Sequence, residues 1–111
     1  MEDKTKQLMM SDPAEMKAAR KQIDYLDESI VRLLAQRFQV AALIGQIKKQ
    51  NQVTVLDQNR EQTVLKRVRA VNSDDATADY IENIYHEILA NSRAYQCELI
   101  KNSQQTKKGE R

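Results

Sequence analysis

The chain has 111 residues, the length of one domain, and its net charge of +2 comes from 18 basic and 16 acidic residues. This balance does not indicate a nucleic-acid-binding protein, and only two Gly and one Pro disfavour a sheet. With 5% aromatic residues and no Trp, a single chain would have a thin core, for which oligomerisation is a common remedy. An all-α fold is therefore expected.

The cellular compartment is predicted from what the chain contains. Its one cysteine, Cys97, cannot form a disulfide within the chain, which is typical of a reducing compartment. The first ten residues are charged and lack the apolar stretch of a signal peptide, and no apolar run looks long enough to cross a membrane. The sequence predicts a cytoplasmic protein without a membrane partner.

The first predicted element is a polar leader over residues 1–11, which has no clear pattern. Asp12 and Pro13 suit the N-cap and first position of a helix that continues to about Gln50. Gly45 alone interrupts its helix-forming composition, and it predicts a close crossing of two helices.

Two shorter helices are expected after the first. Their predicted boundaries are a loop over 51–55, a second helix from its cap Asp57 to about Val71, a loop over 72–75, and a third helix from about Thr77 to Ile100. The helical domain then spans residues 12–101. The polar residues 102–111 are predicted to be a disordered tail.

Apolar residues recur along the first helix at alternating spacings of three and four, the pattern of a heptad seam. This seam comprises Met16, Ala19, Ile23, Leu26, Ile30, Leu33, Arg37, Val40, Ile44 and Ile47. A helix of roughly 38 residues would be about 57 Å long, too long to be covered by two shorter helices. A second copy is the expected cover, which predicts a homodimer.

Each helix places polar residues in a register that is otherwise apolar. Arg37 interrupts the seam and needs an anionic partner, because a buried unpaired arginine is unstable. Lys48 follows about 16 Å along the helix, rotated by about 20°. The other helices contribute Asp57, Arg60, Glu61, Ser92 and Gln96. Such a set predicts a polar cavity for a small polyanion, although a structural ion pair for Arg37 and helix capping for Asp57 remain alternatives.

Arg20 lies seventeen residues before Arg37, about 25 Å along the helix, and about 42 Å from Lys48. One helix cannot bring all three to one small molecule, whereas an antiparallel partner helix can, which favours two shared sites.

The only histidine is His86, and the chain has no Ser-His-Asp set, metal-site spacing or glycine phosphate loop. No metal and no cofactor are predicted, and the reaction would depend on positioning and electrostatics.

The stretch from Arg20 to Glu61 and the segment Ser92-Arg93-Ala94-Tyr95-Gln96 resemble the all-helical chorismate mutases, over roughly residues 14–100. Eight polar residues match that family's pattern in type and order: Arg20, Arg37, Lys48, Asp57, Arg60, Glu61, Ser92 and Gln96. The resemblance implies three helices per chain, two intertwined chains, and conversion of chorismate to prephenate in phenylalanine and tyrosine biosynthesis, without a cofactor.

The resemblance also implies a role for each residue. Lys48 and Gln96 would donate hydrogen bonds to the ether oxygen of chorismate, and Glu61 would hold the ring hydroxyl. The substrate-binding residues would be Arg20 of the other chain, Arg37, Arg60 and Ser92 on the two carboxylates, and Asp57 beside Glu61. Some members carry a further acid where this chain has Asn59, a position expected to face solvent.

Several alternatives stay open. Many members are fused to another enzyme, whereas the polar tail of this chain predicts a monofunctional protein. The same fold could serve a related substrate, in an isochorismate-pyruvate lyase or a 4-amino-4-deoxychorismate mutase. A different class is a non-enzymatic dimerisation module in which Arg37 pairs with Glu61. A nucleic-acid-binding helical dimer is the least favoured, because basic residues alternate with acids.

Overall fold

The computed structural model describes residues 13–109, with side chains described as far as residue 104, and these residues form no strand. Its three α-helices are α1 (Ala14–Gln50), α2 (Gln58–Val71) and α3 (Ala78–Gly109). A single 3₁₀ turn, Asp75–Thr77, precedes α3. The predicted all-α fold with one very long helix is confirmed. The predicted leader, residues 1–11, and the predicted cap Asp12 lie outside the described residues.

Helix α1 begins one residue later than predicted. The carbonyl oxygen of Pro13 accepts a hydrogen bond from the backbone N–H of Lys17 at 3.1 Å, so Pro13 immediately precedes the helix. A difference of one residue is within the usual uncertainty of helix ends.

The chain divides into two compact units, one ending at Gln36 and the other beginning at Arg37. In the first unit, the described residues are the N-terminal part of α1. Its seam side chains are solvent-exposed, with Ile23 at 55%, Leu26 at 58% and Leu33 at 63% of full exposure. This unit therefore presents an apolar face that its described residues do not cover.

The second unit packs the C-terminal part of α1 against α3. Ala41 and Leu89 are its buried apolar residues, and the core is thin, as the low aromatic content predicts. Phe38 and Tyr95 meet edge to face with ring centroids 5.5 Å apart. Seam residues at the end of α1 remain exposed: Val40, Ile44 and Ile47.

Gly45 is buried where α1 meets α3, which confirms the predicted close crossing. A Cβ atom added at Gly45 would lie 3.0 Å from Cγ of Gln96 and 3.3 Å from its Cβ. Any larger residue at this position would have to displace the glutamine side chain.

A capping turn ends α1, within the predicted loop. Gln52 adopts φ 57°, the left-handed region, although it is not a glycine. The N–H of Gln52 donates to the carbonyl of Lys49, and that of Val53 donates to the carbonyl of Lys48, at 3.2 and 2.8 Å. This pair of bonds is a Schellman motif, which satisfies carbonyl groups that the helix leaves unpaired.

The second helix begins after the predicted cap Asp57, and α3 begins at Ala78, one residue after the predicted Thr77. Asp57 caps α2, and Asp74 accepts from the N–H of Ala76 at the start of the 3₁₀ turn. Arg69 joins α2 to α3 by donating to Asp79 and Glu82 at 3.1 and 2.7 Å. The hydrogen bond to Asp79 and the charge of Glu82 raise the pKa of Arg69.

Helix α3 continues to Gly109, whereas the sequence pattern predicts an end at about Ile100 and a disordered tail. The nine residues after Ile100 include no Pro, and their Lys, Gln and Asn side chains do not interrupt a helix. Polarity alone was therefore the wrong signal for the end of this helix.

By length and composition, α1 meets the criteria for a membrane-spanning helix, with a mean hydropathy of 1.2 over an 18-residue window. This differs from the prediction that no apolar run is long enough, because seam residues and alanines outweigh the charged residues in that window. Only 11% of the window is buried. One such helix near the N-terminus is weak evidence, since helices of water-soluble proteins pass the same test.

Candidate active site

A cavity of about 260 Å³ lies within the second unit, among the end of α1, the following loop, α2 and α3. Seven of the eight predicted site residues line it: Arg37, Lys48, Asp57, Arg60, Glu61, Ser92 and Gln96. Its apolar lining includes Val40, Ile44 and Leu89. The eighth residue, Arg20, belongs to the first unit and does not line this cavity.

Arg37 is held by a neutral partner. Its Nη1 donates to Oγ of Ser92 at 2.6 Å, and that hydroxyl donates to the carbonyl of Ile88 at 2.9 Å. Among the described residues, no carboxylate lies within ion-pair distance of Arg37. The alternative of a structural ion pair is therefore not observed, and the guanidinium charge stays available to an anion in the cavity.

Lys48 is anchored by the loop that follows its own helix. Its Nζ donates to the carbonyl oxygen of Val55 at 2.7 Å, across the Schellman turn. An ammonium group has three N–H donors, so two remain for other acceptors. The loop thus sets the direction of this side chain while leaving donors for a ligand.

Gln96 is one of two buried polar residues in the part of the chain that the structure describes, with 7% of its surface exposed. Its Nε2 donates to the carbonyl oxygen of Ala41 at 2.7 Å. An amide nitrogen carries two hydrogens, so the second is free to meet an oxygen in the cavity. Gly45 and the Ala41 carbonyl together fix the position and orientation of this amide.

Asp57 and Arg60 lie at the exposed edge of the cavity. Oδ1 of Asp57 accepts from the backbone N–H of Arg60 at 3.0 Å and caps α2. The capping alternative for Asp57 is thus observed, and the same carboxylate also lines the cavity. Capping leaves its second oxygen free to accept a hydrogen bond.

Glu61 is paired with Arg93, which is not among the eight predicted site residues. Nη1 of Arg93 donates to both carboxylate oxygens of Glu61, joining α2 to α3 at the cavity wall. Both side chains are partly withdrawn from solvent, at 23% exposure for Glu61 and 34% for Arg93. The dimerisation-module alternative required Glu61 to pair with Arg37, and the structure contradicts that pairing.

The charges around the cavity favour an anionic ligand. Arg37, Lys48 and Arg60 contribute three positive charges against the one negative charge of Asp57, while the Glu61 carboxylate is already compensated by Arg93. Within the part of the chain that the structure describes, no three His, Cys, Asp or Glu side chains form a metal-binding group. The arrangement offers directed donors to a small polyanion.

Comparison with known proteins identifies similar sequences and structures. Residues 19–97 match the family model of chorismate mutase type II. The chain is 31% identical over 80 residues to a bifunctional chorismate mutase/prephenate dehydratase of Aquifex aeolicus, covering 68% of this chain but 22% of that protein. It is 27% identical over 90 residues to a chorismate mutase of Methanocaldococcus jannaschii, covering 80% of this chain and 91% of that protein.

A solved structure is also similar. The chorismate mutase (form II) of Thermus thermophilus superposes with a TM-score of 0.70 at 26% identity, covering 74% of this chain and 93% of that one.

Proposed function

Because the chain belongs to the chorismate mutase type II family, we propose that it is an isomerase that converts chorismate to prephenate in phenylalanine and tyrosine biosynthesis. The observation that carries this proposal is the meeting of seven polar residues at one cavity of the second unit. These residues come from three helices and are far apart in sequence, so their convergence is not a consequence of local helix geometry.

The rearrangement needs donors at one oxygen atom. It breaks a C–O bond while a C–C bond forms, and negative charge develops on the ether oxygen. Lys48 and Gln96 would donate to that oxygen, and each is already anchored by a backbone carbonyl. Donors that are fixed before the reaction stabilise the transition state more than the substrate, which raises the turnover rate.

The substrate is a flexible dianion that must be held in a reactive shape. Arg37 and Arg60 would bind its two carboxylates, with Ser92 orienting Arg37 through the 2.6 Å hydrogen bond. Holding the enolpyruvyl arm over the ring lowers the entropic part of the barrier. Glu61, assisted by Asp57, would accept the hydrogen bond of the ring hydroxyl.

We propose a homodimer in which Arg20 of the partner subunit completes each site. Three observations support this. The seam of α1 is exposed in each of the two units. The cavity, at about 260 Å³, is smaller than the roughly 300–1,000 Å³ of typical ligand sites. Arg20 lies in the first unit, about 25 Å along the helix from Arg37 of the cavity. If α1 instead lay in a membrane, the charged side chain of Arg37 would have to enter lipid, which is energetically unfavourable.

We further propose that the protein is soluble and works in the cytoplasm, where its lone cysteine, Cys97, stays reduced. Two related activities remain alternatives: isochorismate-pyruvate lyase and 4-amino-4-deoxychorismate mutase. The second is the closer competitor, because its substrate differs only in the group that would face Glu61 and Asp57.

The test is the loss of chorismate absorbance with purified protein, with the products separated by chromatography. Isochorismate and 4-amino-4-deoxychorismate are assayed in parallel. Rapid formation of prephenate from chorismate is expected. Turnover of only one of the other substrates would move the protein to another pathway, and no turnover of any would contradict enzymatic function.

A further inference from the structure

The pair formed by Glu61 and Arg93 makes the cavity wall neutral at Glu61, and Arg93 is not one of the eight matched positions. Glu61 would meet the ring substituent of the substrate, yet its carboxylate is already bound at both oxygens by one guanidinium nitrogen. We propose that Arg93 is a specificity-determining residue that makes the site select a neutral hydroxyl at this ring position and reject a protonated amine. This inference rests on the proposed function.

The ion pair between Glu61 and Arg93 is not an isolated contact at the fully exposed surface. Arg93 extends from α3 to Glu61 on α2, so the pair spans the two helices at the cavity. Both side chains are mostly shielded from water. Pairs in such positions are screened less by salt than fully exposed pairs, and they hold their geometry better.

The hydrogen-bonding capacity of Glu61 allows it to serve Arg93 and a substrate together. A carboxylate has about four lone-pair positions, and Arg93 occupies two of them. A hydroxyl donates one hydrogen bond to a remaining position without requiring net negative charge. The pair as a whole is neutral, which suits a neutral substituent.

An ammonium group in the same place would meet an unfavourable field. The charge of Glu61 is compensated by Arg93, whose guanidinium donates to both carboxylate oxygens. Arg37 and Lys48 add positive charge from α1. The carboxylate of Asp57 lies at the exposed edge of the cavity, where one oxygen accepts a helix N–H, and it offsets only one of these two charges. Removing the charge of Arg93 would leave Glu61 as a free anion and an attractive partner for the amine.

Arg69 provides a matched control on the same two helices. It also bridges α2 and α3 through carboxylates, Asp79 and Glu82, but it does not line the cavity. A change that acts only by weakening the contact between the helices should appear in Arg69→Met as well as in Arg93→Met.

The experiment measures kcat/KM of the full chain for chorismate and for 4-amino-4-deoxychorismate, which undergo the same rearrangement. Wild type, Arg93→Met, Arg93→Lys and Arg69→Met are compared. The ratio of the two values is independent of the fraction of enzyme that is correctly folded, because both substrates are assayed on one preparation. Arg93→Met should shift the ratio toward the amine by roughly tenfold or more.

Arg93→Lys keeps the charge and should keep the wild-type preference, and Arg69→Met should leave the ratio unchanged. Arg93→Gln is a second neutral variant if Arg93→Met does not fold, and the same shift is expected. An unchanged ratio in a neutral variant that still converts chorismate would overturn the role of Arg93 alone. Wild-type protein without activity on chorismate would instead overturn the proposed function.

Discussion

At the residue scale, the amide of Gln96 depends on the glycine opposite it. Gly45→Ala is expected to lower stability, because the close contact with the buried Gln96 side chain outweighs the preference for alanine over glycine within a helix, about 1 kcal/mol. The added methyl group would push against Cγ of Gln96 at 3.0 Å and displace its amide by tenths of an ångström. A fall in kcat of about tenfold is expected from that displacement.

Thermal unfolding and steady-state kinetics of Gly45→Ala check both halves of this prediction. Wild-type kcat in a variant that folds normally would show that the position of Gln96 does not limit the reaction.

Asp57 has two separable tasks, capping α2 and lining the cavity. Asp57→Asn retains a capping side chain and should change the free energy of unfolding little, whereas Asp57→Ala should lower it by about 1 kcal/mol. Both variants should raise KM, because each removes the carboxylate at the cavity edge. Denaturant titrations and KM values measure the two effects. A normal KM for Asp57→Asn would show that Asp57 caps α2 but that its charge does not contribute to substrate binding.

At the scale of elements, the turn after α1 presents Lys48. The backbone carbonyl of Lys48 accepts from Val53, and its Nζ reaches the carbonyl of Val55, so the turn holds both ends of the residue. Gln52 adopts the left-handed conformation at its centre. A β-branched residue there would be strained by about 1–2 kcal/mol.

Gln52→Val is therefore expected to be less stable than wild type and to lose turnover, while Gln52→Gly should retain both, because glycine adopts this conformation without strain. Chemical denaturation and kcat of the two variants form a matched pair. Equal stability of the two would mean that the turn is not constrained as described.

The helices and loops were predictable because their signals are local: a seam of period 3.5, the cap Asp57, and β-branched residues after Asn51. The end of α3 was not predictable, because the residues after Ile100 are polar and yet compatible with a helix. Arg93 was missed for another reason. Its partner, Glu61, is 32 residues away, and consecutive residues such as Ser92 and Arg93 point about 100° apart on a helix, so sharing a cavity is not evident.

At the scale of the whole molecule, the proposed dimer makes each site from two chains. Arg20→Ala and Lys48→Ala should each be nearly inactive alone. In a mixed dimer, one site would have both residues intact and the other neither. With free exchange, about one quarter of wild-type activity should return. Subunit exchange is verified with tagged chains, and exchange without recovered activity would argue for sites built from one chain.

The most direct test of the account compares Lys48→Ala with Lys49→Ala in single-turnover measurements on chorismate. Lys49 is the neighbouring residue, but its Nζ donates to Ser103 and it does not line the cavity. Lys48→Ala should lower the rate by about 100-fold or more, the effect of removing one donor to developing charge. Lys49→Ala should react like wild type. A near-normal rate for Lys48→Ala would contradict the electrostatic mechanism.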